Sequence, residues 1–95
     1  MTGLNTPHHG IYTVGSSERG ADRKRRIIPV ANKTTLHDSL TTLSEALQVF
    51  GYTTCHAGKW HLSDNPLDCG FDYNIGGGHN GHPRSYYPPY KNVDL

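Results

Sequence analysis

Residues 42–57 constrain the fold of this chain more than any other stretch. Thr42 and Glu45 have capping-box spacing, in which each side chain satisfies the other's backbone N–H at the start of a helix. Leu43, Ala46, Leu47 and Phe50 follow at i, i+3, i+4 and i+7, on one face of a helix over residues 42–50. Gly51 stands where that helix stops, because glycine takes the left-handed conformation that closes a helix end. Tyr52-Thr53-Thr54-Cys55-His56-Ala57 then reads as a strand. A helix, a tight glycine and a strand make a helix-to-strand unit of an α/β fold, and the apolar stripe is expected to pack in the core.

Directly after that strand comes Gly58-Lys59-Trp60-His61-Leu62. If the backbone stays extended, side chains at i and i+2 point the same way. Lys59 and His61 then share one side, Trp60 turns to the other, and Gly58 lets a further group approach the backbone. The C-terminal edge of the strands is where open α/β sheets bind ligands. A cation beside an imidazole suits an anionic ester: the cation holds nonbridging oxygens while the imidazole manages a proton. The triplet by itself is not specific, and spacing alone favours a surface lysine next to a hydrogen-bonded histidine.

The remainder is loop-rich. Residues 5–10 read as turns around Pro7, followed by a short β-prone run at Ile11-Tyr12-Thr13-Val14. Residues 16–26 are polar and end in Arg23-Lys24-Arg25-Arg26, which reads as a solvated loop rather than a nucleic-acid site, since no aromatic or helical register accompanies it. Ile27-Ile28-Pro29-Val30 reads as a short edge segment, and Asn32-Lys33-Thr34 matches a glycosylation acceptor. Beyond His61 the chain is expected to be loop, with Phe71 and Tyr73 as local anchors. Gly76-Gly77-Gly78 lacks the Gly-Lys-Ser/Thr ending of a phosphate loop. Ser85-Tyr86-Tyr87-Pro88-Pro89-Tyr90 is extended and aromatic.

Only 34% of the 95 residues are hydrophobic, against roughly 45% in globular chains. Such a chain has difficulty building a full core, so marginal stability and membership of something larger are expected. A net charge of +1 recruits neither nucleic acid nor a membrane surface. No apolar run approaches the roughly 20 residues that span a bilayer, and residues 1–10 lack the pattern of a signal peptide. The two cysteines, Cys55 and Cys69, could form one bridge or remain thiols. Cys55, Cys69, His79 and His82 also offer the ligand types of a small zinc module, but their spacing departs from the paired close ligands of structural zinc sites.

Several blocks resemble sulfatases. Met1-Thr2-Gly3-Leu4-Asn5-Thr6-Pro7-His8-His9-Gly10-Ile11-Tyr12 resembles the stretch that closes the family's nucleophile motif. Thr42-Leu43-Ser44-Glu45-Ala46-Leu47, Gly51-Tyr52-Thr53-Thr54 and Gly58-Lys59-Trp60-His61-Leu62 resemble its second signature region. Gly70-Phe71-Asp72-Tyr73-Asn74-Ile75-Gly76-Gly77 and Pro83-Arg84-Ser85-Tyr86-Tyr87-Pro88-Pro89-Tyr90 are similar to the stretch C-terminal to that region in arylsulfatase-like members. The likeness covers nearly the whole chain and is weaker over residues 16–40.

This resemblance implies an alkaline-phosphatase-like fold, a large mixed sheet flanked by helices with long loops. It implies hydrolysis of sulfate esters by a formylglycine hydrate, with a divalent cation, usually calcium, in the site. Lys59 would bind a sulfate oxygen, and His61 would contact the hydrate or the sulfate and help manage its proton. The C/S-x-P-x-R motif that yields formylglycine does not occur here, and neither Cys55 nor Cys69 has that context. By the family pattern the nucleophile should precede Met1, and the calcium ligands and second histidine and lysine should lie outside residues 1–95. The expectation is therefore a partial sulfatase N-terminal domain, residues 1–95, carrying one side of an active site and inactive by itself. Relatives are often exported or lysosomal. The competing reading is a non-catalytic segment that docks anions or a partner through Lys59, His61 and residues 23–26.

Overall fold

A computed structural model describes residues 1–91. The capping box forms as expected: the Thr42 N–H donates to Glu45 Oε2 at 2.7 Å and the Glu45 N–H donates to Thr42 Oγ1 at 3.2 Å. They start helix α2, Leu43–Val49, which follows a one-turn helix α1, Thr6–His9. Strand β1, Cys55–Ala57, pairs in parallel with β2, Tyr73–Ile75, placing His56 opposite Asn74. Short 3-10 turns occupy Asp22–Lys24 and Pro66–Cys69. The chain is thus mixed α and β, with a two-stranded parallel sheet among the described residues.

Beyond His61 the chain is more ordered than the loop expected. Parallel neighbours need a crossover, and residues 58–72 supply it, with the Pro66–Cys69 turn at its centre. The three-residue β2 is too short to announce itself by alternation. Its exposed Tyr73 is not the anchor expected, whereas Phe71 packs edge-on against Trp60 and His56 with ring centroids 5.8 and 5.5 Å away.

The α2 stripe is not buried. Leu43 is 58% and Phe50 80% exposed, and Ala46 and Leu47 are only half-buried. The molecule is a slab with extents of 51 × 37 × 14 Å, and the described residues cover that face only in part. The buried residue of the helix is Ser44. Its hydroxyl donates to the Cys69 carbonyl at 2.5 Å, beside the Thr42 hydroxyl, which donates to the same oxygen at 2.7 Å. The Thr54 hydroxyl binds the Gly70 carbonyl at 3.0 Å. The Ser63 hydroxyl accepts from Trp60 Nε1 at 2.9 Å and donates to the Asn65 carbonyl at 2.7 Å. Every one of these buried hydroxyls has a partner, which removes the penalty of taking it out of water. The buried apolar residues among those described are Leu36, Trp60, Pro66 and Cys69.

Asp72 ties these elements together. Its carboxylate accepts from the Thr54 N–H at 2.7 Å, the Thr54 hydroxyl at 3.1 Å and Gln48 Nε2 at 3.0 Å. The Thr54 N–H and the other donors hold the carboxyl below its ordinary pKa, against a smaller desolvation effect.

Neither expected short β segment before α2 forms. The N–H groups of Tyr12 and Thr13 donate to Asn32 Oδ1 at 2.6 and 3.1 Å, so a side chain takes the place of a partner strand. The Asn32 amide in turn donates to the Thr13 carbonyl at 2.8 Å and to Gly15. It is engaged structurally, contrary to a free glycan acceptor. Ile27 and Ile28 are exposed, and Arg25 pairs with Asp22 at 2.6 Å in the polar loop. No helix among the described residues is long and apolar enough to cross a membrane.

Gly70 is the tightest point between α2 and the crossover. Its φ is 80°, and a Cβ there would lie 2.9 Å from the Glu45 backbone nitrogen. Gly70→Ala is therefore expected to destabilise the chain by about 2 kcal/mol, combining a left-handed backbone with a clash. A lowered urea or thermal midpoint checks this, and an unchanged midpoint contradicts it.

Candidate functional site

The site begins where β1 stops. Gly58 extends the sheet by one hydrogen bond, donating to the Ile75 carbonyl at 2.9 Å, and then turns with φ 101°. His61 has φ 132°, a value rarely adopted by residues with a Cβ. The backbone through Lys59 and His61 is thus not the extended ribbon expected from the sequence. The two side chains nevertheless converge. A Cβ built on Gly81 would lie 3.6 Å from His61 Nε2 and 3.9 Å from Lys59 Cε. The kink at His61, rather than a strand period, brings them to one spot, while Trp60 is buried on the other side as expected. A strained residue persists only where its surroundings fix it, and such residues cluster at functional sites.

Trp60 fixes this conformation. It is held by Ser63 and by edge contacts to His56 and Phe71, with the His56 centroid 4.9 Å away. Gly81 is brought over the pair by the glycine-rich loop after β2. There the Gly77 N–H donates to Asn74 Oδ1 and Asn74 Nδ2 donates back to the Gly77 carbonyl, both at 2.9 Å. A Cβ at Gly77 would fall 2.6 Å from His56 Nδ1 and 2.7 Å from Pro66 Cγ. That loop needs glycine for close approach to β1, a reason distinct from phosphate binding.

Beside Lys59 opens a cavity of about 370 Å³, walled by Ile75, Pro83, Tyr86 and Tyr90. The aromatic tail thus reaches the site, a placement that no sequence period could show. On the other side His79 Nε2 meets Asp64 Oδ1 at 2.5 Å, and the His79 ring centroid is 6.3 Å from that of His61. Sequence spacing marks His79 only as a possible metal ligand and misses its pairing with Asp64, which lies in a separate loop. Burial, then the positive charge of Lys59, then His79 hold the His61 imidazole below its ordinary pKa.

The other candidates disperse. Cys55 is exposed, Cys69 is buried, and both are free thiols. His82 Nδ1 bonds to the Pro83 carbonyl at 2.8 Å. Among the described residues no three His, Cys, Asp or Glu side chains are grouped to hold a metal ion. The possible zinc ligands are therefore not assembled, and no calcium site forms among the described residues. The Arg23–Arg26 run lies in the loop of the 3-10 turn and does not line the cavity beside Lys59. Compared with known proteins, the chain matches no family profile and no curated protein.

Folding favours the neutral imidazole of His61, so the unfolded chain takes up the proton first. Its contribution to stability falls as pH drops from the ordinary value near 6.5 to the lowered folded value. In an NMR titration His61 is expected to titrate below that ordinary value and to move back up in Lys59→Ala. A His61 midpoint at or above it in the unaltered chain would refute the described electrostatics.

Proposed function

We propose that this chain is a segment of a sulfatase catalytic domain and that Lys59 and His61 hold the sulfate group of an ester substrate. The observation that carries the reading is their convergence beside Gly81, just past the C-terminal end of a parallel strand pair. Lys59 supplies a point charge for the nonbridging oxygens. His61, kept largely neutral near pH 7, can accept a proton from a nucleophile or donate its remaining N–H to an oxygen. The cavity beside Lys59 offers room for the alcohol part of the ester.

The reading assigns the chain to an alkaline-phosphatase-like fold. The exposed α2 stripe supports it, because that face has the pattern of core packing and needs further structure over it. The formylglycine nucleophile, the calcium ligands and the second histidine and lysine belong, on this reading, to residues outside the sequence given. Calcium would supply Lewis-acid stabilisation of charge there.

Sulfate added to the purified chain at constant ionic strength is expected to shift the Lys59 and His61 NMR signals along one saturating curve. Lys59→Ala is expected to weaken that binding about tenfold, the order of one charge-assisted hydrogen bond. The isolated chain is expected to show no hydrolysis of an aryl sulfate with or without calcium. Absence of a sulfate response at both residues defeats the assignment of the site. Metal-dependent turnover by the 95-residue chain defeats the assignment of the nucleophile elsewhere.

A further inference from the structure

The Asp64–His79 pair has no part in the two-residue site, yet its position is specific. His79 belongs to the same glycine-rich loop that carries Gly81 over Lys59 and His61, and its ring is 6.3 Å from His61. Its Nε2 is engaged by Asp64, while among the described residues Nδ1 makes no hydrogen bond. Both side chains are well exposed, His79 at 53% and Asp64 at 88%. A surface pair of this kind contributes little to stability through screened attraction, so fold maintenance is a weak reason for the arrangement. What the pair does is fix one imidazole beside another: the His79 ring lies 6.3 Å from that of His61, and His61 Nε2 and Lys59 Cε both approach Gly81.

Such a set suits an anion. Groups able to carry positive charge repel one another when crowded, and Lys59 and His79 both disfavour the charged form of His61. A tetrahedral oxyanion placed between them relieves that repulsion and takes a hydrogen bond from each.

We propose that His79, oriented by Asp64, is a third donor of this anion site and closes on the same tetrahedral oxyanion as Lys59 and His61. This rests on the reading of Lys59 and His61 as the sulfate-holding pair. His79 contributes an N–H to an oxygen that the other two leave open. Asp64 is a positioning residue, taking the Nε2–H so that Nδ1 is left for the ligand when the ring is protonated.

The test is an NMR titration of the whole chain with sodium sulfate, following Lys59 Nζ and the ring nitrogens of every histidine, with sodium chloride at matched ionic strength as control. His79 and His61 are expected to shift along one curve with one Kd, while His37, an exposed residue of the 36–40 segment, stays fixed. His79→Gln, a change at an exposed position, is expected to weaken sulfate binding about fivefold and leave the thermal midpoint unchanged. If Lys59 and His61 respond while His79 does not, or His79→Gln binds as tightly as the unaltered chain, the third-donor proposal is overturned and the paired site stands. If none of the three responds to sulfate, both are overturned.

Discussion

The hydroxyl and carboxylate contacts on residues 69–72 hold this molecule together. Thr42 and Ser44 reach one carbonyl there, Thr54 reaches the next, and Asp72 returns hydrogen bonds to Thr54 and Gln48. Through these contacts α2, β1 and the start of β2 are fixed to one short segment of backbone. Neutral hydrogen bonds contribute modestly one by one, but leaving any of these buried groups unpaired would cost more than making it adds. The arrangement suits a chain poor in apolar residues. It replaces a thick core with directional contacts, and it leaves the apolar face of α2 outside.

The local signals in the sequence carried much of this. The capping box of Thr42 and Glu45, the stop at Gly51 and the β character of Cys55-His56-Ala57 all depend on neighbours a few residues apart, and all are present. Periodicity also assigned a face to Leu43, Ala46, Leu47 and Phe50, but a period states only which side chains point together. It does not state how far anything covers them, and here Leu43 and Phe50 stay exposed while Ala46 and Leu47 are only half-buried. The buried Ser44 was invisible for the same reason, since its partner is a carbonyl far along the chain. The β-prone runs at residues 11–14 and 27–30 show the converse. Propensity without a partner strand left them irregular, and one asparagine side chain met the backbone groups of the first.

The site was legible in part. Lys59 and His61 were identified as a pair, and they are one, although by a left-handed kink at His61 instead of an extended backbone. The cavity, the approach of Gly81 and the Asp64–His79 contact arise from the packing of loops, where residue type offers no period to follow. The geometry adds a reason for Trp60, whose burial against His56 and Phe71 holds the kink between the two polar side chains.

Gly77 has a wider consequence than its size implies. The loop bearing His79 and Gly81 meets β1 at this residue, where the backbone lies against the His56 ring and Pro66 with no room for a methyl group. One half of the proposed anion site is thereby fastened to the strand that leads into the other half. The spacing between the halves is set by backbone contact, not by the reach of flexible side chains. Variation at Gly77 would act as a change of calibre: Lys59, His61 and His79 would survive, but the opening between them would widen.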